Sequence, residues 1–217
     1  MSKTSLIKNF RHAVSASVLI GLGNCALLKV GQPLGPFLFA LGLLAVCILG
    51  QDLFTGKCGF VVADKIPPKK LVLMLATNLL SGYLFGIFLS YMDPSLQSVA
   101  MNKVEGFVVS FEFFAKSVLC GMVMYLAVAI YRKQSVLGIL IGVPLFIFCG
   151  FQHCIANVIT LGVARVLTMP TVFAIGLSAL GNFIGAFLLW SLTTDELPKG
   201  KDKGTAATVN RITKRSV

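Results

Sequence analysis

One histidine, His153, sits deep in a long apolar stretch, in the run Gly150-Phe151-Gln152-His153-Cys154-Ile155-Ala156-Asn157. An ionisable side chain in such a place is functional by default. Imidazole changes charge near neutral pH and can donate a hydrogen bond while neutral, which suits it to meeting a small anion or a proton. A structural histidine satisfying loop carbonyls is the plainer alternative. The balance tips because a second apolar stretch is interrupted in a similar way, at Gly50-Gln51-Asp52-Leu53-Phe54-Thr55-Gly56. Thr55 is expected at the place corresponding to His153, where its hydroxyl can orient the imidazole, contact a substrate or cap a restarting helix. Asp52 is expected to tie its loop down by accepting backbone N–H bonds. The other ionisable groups within apolar stretches are Glu112, Lys57 and Lys116, and no pair of them has catalytic spacing. The six cysteines, Cys25, Cys47, Cys58, Cys120, Cys149 and Cys154, form neither CxxC nor a Cys/His cluster, and read as small buried hydrophobes. No enzyme, no cofactor and no metal is expected.

The elements that hold these residues are membrane-length. Of the 217 residues 56% are hydrophobic and 12% charged, and the mean hydropathy is +0.87. A soluble domain of this size could not hide that much apolar surface, whereas a bilayer can. Six apolar runs are expected to span, over about 13–30, 34–63, 71–92, 107–130, 135–164 and 171–192. The second and fifth are broken by Gln51-Asp52 and Gln152-His153. The segment 93–105 reads as a mixed loop. The chain thus divides into a cytoplasmic N-terminal segment 1–12, a transmembrane domain 13–192 and a polar cytoplasmic tail 193–217. The basic start leads into a run long enough to span, so no cleavable signal is expected.

The formal charge of +11 follows topology. Fourteen lysines and arginines fall in the N-terminal segment, the second-to-third and fourth-to-fifth loops and the tail; three, Lys29, Lys103 and Arg165, fall on the other side. That asymmetry puts both termini in the cytoplasm, in a multi-pass protein of the inner membrane. Without an alternating basic and aromatic face, no nucleic-acid partner is expected. The two halves also match: each has a simple span, a broken span, and a span with GxxxG, at Gly82–Gly86 and Gly181–Gly185. Three spans per half make the second half inverted, and paired broken helices in an inverted repeat point to a substrate path near the midplane.

These residues carry a resemblance. Residues 50–56 look like the first-loop motif of the formate/nitrite transporter family, and residues 150–157 resemble its second-loop motif, GFEHSIAN. Ser117–Val128 is similar to its fourth helix and Gly181–Gly185 to its sixth, so the resemblance covers roughly residues 8–190. It implies an aquaporin-like, all-α fold of six transmembrane helices, assembled as a homopentamer with one pore per protomer, passing formate, nitrite, hydrosulfide and similar anions, often with a proton. It implies His153 as the central pore residue with Thr55 beside it. Asn157, which closes the second motif, is counted with them. It implies constrictions at Leu53 and Phe54, at Phe39 and Leu43, and at Phe146. Lys103 matches a lysine that attracts the anion. There are departures: Gln152 stands for the usual Glu beside the histidine, Gly121 for an Asn common in the fourth helix, and Lys57 for something neutral. Losing an acid and gaining a base makes the vestibules more attractive to anions. Asp52 and Gln152 are read as loop supports.

The expected function is a channel or transporter for small monovalent weak-acid anions in a lipid bilayer. Formate is the default substrate, nitrite or hydrosulfide the alternatives, with proton coupling at His153. A water or glycerol pore would carry paired Asn-Pro-Ala motifs, and neither break contains one. A non-transporting assembly or sensor subunit would not need matched breaks with a histidine between them.

Overall fold

The computed structural model describes residues 3–194, which are helical almost throughout. In chain order the helices are α1 (Lys3–Val30), α2 (Gly35–Ile48), α3 (Phe54–Lys57), α4 (Pro68–Met92), α5 (Ser95–Val104), α6 (Phe111–Arg132), α7 (Leu137–Phe148), α8 (Cys154–Ala164) and α9 (Met169–Thr193), with a 3₁₀ turn over Cys58–Phe60. Four of them, α1, α4, α6 and α9, are long and apolar enough to cross a membrane; α2, α7 and α8 are equally apolar but shorter. Most of the expected polar N-terminal segment is already helical, because α1 runs on from Lys3. The expected tail lies outside the described residues from position 195 onward.

Local signals set the ends. Pro67 and Pro68 open α4, where a missing N–H costs nothing. Ser110 caps α6 by accepting a hydrogen bond from the N–H of Phe113, and Thr168 forms a capping box with Thr171 at the start of α9. The breaks in the two interrupted runs begin alike. At the end of α2, Gly50 has φ +63°, with Gln51 N–H donating to Val46 O at 2.9 Å; at the end of α7, Gly150 has φ +66°, with Phe151 N–H donating to Phe146 O at 2.9 Å. Each is a left-handed helix stop in which only glycine is unstrained.

The segment expected to be a loop, 93–105, is largely the helix α5. Leu96, Ala100 and Val104 recur at helical spacing and are buried, so a short amphipathic face packs on α8. The charged flanks hide that period from a hydropathy reading. Lys29 at the end of α1 pairs with Asp93 at 2.6 Å, fixing the α4–α5 corner.

Polarity is arranged inside out. Large apolar side chains face outward along α4 (Val72, Leu80, Leu84, Phe88) and α9 (Phe173, Leu180, Leu188), while Ser17, Asn24, Asn78, Ser117, Ser178 and Asn182 are buried. Lipid solvates the former, and the latter serve as interhelical hydrogen-bonding groups. Close backbone approach comes from glycines, among them Gly86 and Gly185 of the expected GxxxG motifs. A Cβ on Gly86 would collide with the carbonyl of Ile159, and one on Gly162 with the carbonyl of Tyr83, so α4 and α8 touch backbone to backbone. In the other half, a Cβ on Gly185 would strike the carbonyl of Val118 and one on Gly121 the carbonyl of Asn182, joining α6 to α9. The glycine at 121 is therefore a packing requirement of this chain.

Gly121→Val should force α6 away from α9. The expected loss is about 1–3 kcal/mol, read as a lower midpoint of thermal unfolding in detergent, whereas Gly176→Ala, where a Cβ meets nothing within 4 Å, should change the midpoint little.

Candidate functional site

Between the stop of each short helix and the start of the next lie three residues outside any helix, and the helix ladders leave some backbone N–H and C=O groups at each junction without partners. Two asparagines supply them. Asn78, on α4, accepts from the N–H of Phe54 at 2.8 Å and donates to the carbonyls of Ala13 (2.8 Å) and Asp52 (3.2 Å). Asn182, on α9, accepts from the N–H of Cys154 at 2.9 Å and donates to the carbonyls of Ser117 and Gln152, both at 2.8 Å. The two sets correspond atom for atom: a loop N–H, a loop carbonyl two residues earlier, and a carbonyl on a neighbouring long helix. Both asparagines are fully buried, where an unpaired amide would be costly. The sequence assigns neither asparagine a role; a lone Asn in an apolar span was the available signal.

This correspondence pairs Asp52 with Gln152 and Leu53 with His153. Leu53 and His153 are the N-cap residues of α3 and α8, with φ/ψ of −99°/125° and −101°/111°. The expected counterpart of His153 is thus corrected from Thr55 to Leu53. Thr55 is no cap either, since it lies inside α3; its hydroxyl meets His153 Nε2 at 2.9 Å. Asp52 is corrected too. It is the carbonyl of Asp52 that ties the loop, by accepting from Asn78, while its carboxylate faces the Lys70 ammonium at 3.8 Å.

His153 has only 1% of its surface exposed, and its two ring nitrogens are distinguishable by their partners. Nδ1 accepts from the N–H of Ala156 at 3.1 Å, capping α8. A nitrogen that accepts cannot carry a proton, so the neutral ring holds its proton on Nε2 and donates to the Thr55 hydroxyl. The hydroxyl then keeps its own O–H to offer. Protonating Nδ1 would eject the Ala156 N–H from a dry site and leave two donors facing each other. The geometry therefore holds a neutral, donating imidazole.

His153 also lies on the wall of an open cavity of about 230 Å³. Lys103 from α5, Gln152 and Asn157 line it, as do the rings of Phe39 and Phe146. The sequence places Lys103 fifty residues from His153, and the fold brings both to one cavity. Phe146 stacks on the imidazole at 5.6 Å between centroids, and Phe39 meets Phe146 edge-on at 6.0 Å. Leu43, Leu53 and Phe54 are buried nearby in the core and do not line this cavity. Gln152 bridges its own loop: it donates to Gly150 O at 3.1 Å and accepts from Asn157 Nδ2 at 2.8 Å. The first of these needs the amide, since a carboxylate could not donate to the carbonyl; the second needs only an accepting oxygen. Asn24 and Thr160 line the same cavity and were missed in the sequence. Lys103 is exposed, and partial desolvation beside the cavity lowers its pKa from the ordinary lysine value. Among the described residues no three His, Cys, Asp or Glu side chains come together as metal ligands.

Apolar helices turned outward, two short helix pairs held end to end by buried asparagines, and a histidine between them describe a multi-pass membrane channel or transporter. The family model for the formate/nitrite transporter matches residues 2–194, so the chain belongs to that family, which consists of channels and transporters and not of enzymes. It is 28% identical over 199 residues to "Uncharacterized transporter YwcJ" of Bacillus subtilis (strain 168), covering 77% of each chain. It is 27% identical over 143 residues to "Formate channel FocA" of Haemophilus influenzae, covering 57% of this chain and 50% of that one. A solved structure described as "FNT family ion channel" has the same fold, with a TM-score of 0.72 at 21% identity over 90% of this chain and 92% of that one.

Asn182→Leu removes three hydrogen bonds and strands the N–H of Cys154. It should cost roughly 2–4 kcal/mol, seen as a lower unfolding midpoint in detergent. Asn78→Leu should do the same in the other half, and a variant within a fraction of a degree of the wild type would show that the loops are held otherwise.

Proposed function

We propose that the chain conducts small monovalent anions of weak acids, formate first among them, through a path that passes His153. The observation that carries this reading is the neutral, Nε2-protonated imidazole at the wall of a cavity that also holds a lysine. In the proposed architecture α2 with α3, and α7 with α8, complete two further crossings, giving six in a 3+3 inverted repeat. The matched glycine stops and asparagine supports favour it. Both termini are cytoplasmic in this reading, in the inner membrane. The bidentate ion pair of Arg132 with Asp64 supports this by joining two of the basic connections. The protomers form a pentamer, as the family resemblance implies.

The central physical problem is a charge in a dry constriction. Lys103 draws the anion into the cavity. Past it the aromatic walls disfavour the charged form, so the ion takes up a proton that arrives as hydronium from the bulk, leaving water, and crosses the Phe39 and Phe146 constriction neutral. Leu43, Leu53 and Phe54 continue the apolar barrier toward the far side. His153 does not supply the proton: giving up Nε2–H without taking one at Nδ1 would leave an imidazolate, and taking one at Nδ1 breaks the helix cap. Its part is to hand the solute from the cavity to the Thr55 hydroxyl by donated hydrogen bonds. Asn157 and Gln152 keep the loop in register with α8. Acid lowers the charge on the solute, so flux of formate plus proton should rise as pH falls.

The test is uptake of formate, nitrite and hydrosulfide into liposomes holding the purified protein, with the rate of protein-free vesicles subtracted. Formate uptake should be fastest. It should fall by about tenfold or more in His153→Phe and several-fold in Lys103→Ala, which leaves the dry core intact. Undiminished flux in a folded His153→Phe protein would remove the histidine from the path. No flux of any of the three through the folded wild type would favour a non-transporting membrane subunit.

A further inference from the structure

Asn24 and Thr160 are the two polar groups of the cavity that the mechanism above does not use. Asn24 stands on α1 and Thr160 on α8; they are 2% and 4% exposed, and both line the cavity shared by Lys103 and His153. Thr160 lies seven residues beyond His153, about 10 Å along α8. Their hydrogen bonds fix which way the carboxamide points. The Thr160 hydroxyl donates to the carbonyl of Ala156 at 3.0 Å, so its one proton is committed. It must therefore accept from Asn24, whose Nδ2 lies 3.1 Å away. With Nδ2 turned to Thr160, Asn24 Oδ1 points elsewhere, and among the described residues neither Oδ1 nor the second N–H of Nδ2 has a protein partner. A buried carboxamide is thus held by one N–H and presents an acceptor and a donor to whatever occupies the cavity.

The chemistry of that pair selects a protonation state. A carboxylate anion has acceptors only; it can take the N–H but meets the lone pairs of Oδ1. The neutral acid has an O–H for Oδ1 and a carbonyl for the N–H, and satisfies both. A cavity of about 230 Å³ has room for such an acid and a few waters. Resting on the reading of the chain as a weak-acid anion channel, we propose that Asn24, oriented by Thr160, is a recognition site for the neutral carboxylic acid form of the solute, distinct from the lysine that collects the anion. The acid arises when a carboxylate oxygen takes a proton from a hydronium ion arriving through the cavity from bulk solution: one O–H bond forms on the carboxylate, one breaks on the hydronium, water is left and the two charges cancel. Lys103 and Asn24 then serve two successive protonation states of one solute. Thr160 is a positioning residue, acting through the amide it turns.

The experiment compares formate uptake by wild type, Asn24→Leu and Thr160→Val in proteoliposomes, each with and without formamide, a neutral solute that offers the same donor and acceptor pair. Formamide should slow the wild type. Asn24→Leu should carry formate about tenfold more slowly, and its residual uptake should be insensitive to formamide. Thr160→Val should shift both readouts the same way by a smaller factor. Formate uptake by Asn24→Leu within twofold of wild type would overturn the proposal, as would equal inhibition by formamide in both proteins or none in the wild type. Should Asn24→Leu fail to give a monodisperse protein, Thr160→Val decides: unchanged formamide inhibition there overturns the proposal. No formate uptake by the wild type would instead overturn the substrate reading itself and this site with it.

Discussion

A broken helix in an apolar solvent has loose ends, and this fold depends on tying them. Each break releases N–H and C=O groups that lipid cannot satisfy. Asn78 and Asn182 take them up with the same three bonds in the two halves. Each side chain also reaches a carbonyl on a neighbouring long helix, so the loop is pinned to the bundle as well as to itself. That anchoring lets an extended strand of backbone persist in a region that would otherwise require continuous helix.

Rigidity at the loops is what gives His153 a defined chemistry. Free imidazole can hold its proton on either nitrogen. Here the cap on α8 consumes Nδ1 as an acceptor, and the tautomer follows. The fold therefore turns a titratable residue into a fixed hydrogen-bond donor, aimed at a hydroxyl from the opposite break. Stacking on Phe146 restricts the ring plane as well. One residue serves at once as helix cap, donor and part of an aromatic wall, and altering any one role disturbs the others.

The glycines have a similar double duty. Those in α4, α6, α8 and α9 bring backbones into contact, and the same contacts carry the asparagines to their loops. Gly121 illustrates the coupling: its missing side chain is the space into which the backbone of Asn182 fits. The amide of Gln152 belongs to the same scheme. It accepts from Asn157 and also donates to Gly150, which a carboxylate could not do, and it leaves the cavity shared with Lys103 without an acid at this position.

Much of this was legible from residues alone. An apolar run of about 20 residues has few structural options in lipid, so the long helices and the two interruptions followed from composition. His153 was visible as an ionisable group within an apolar run, and the glycine spacing foretold close helix contacts. Position within a long-range geometry was not legible. That Leu53, and not Thr55, answers to His153 depends on which residue takes the N-cap, and that depends on where Asn78 reaches. The helical state of 95–104 depends on an apolar face finding α8. The state of His153, the arrival of Lys103 at its cavity and the pairing of Asn24 with Thr160 join residues dozens to more than a hundred positions apart. Sequence determined which groups had to be buried or solvated by lipid; only the tertiary structure decided which buried polar group met which, because hydrogen bonds are short and directional while hydrophobicity is neither.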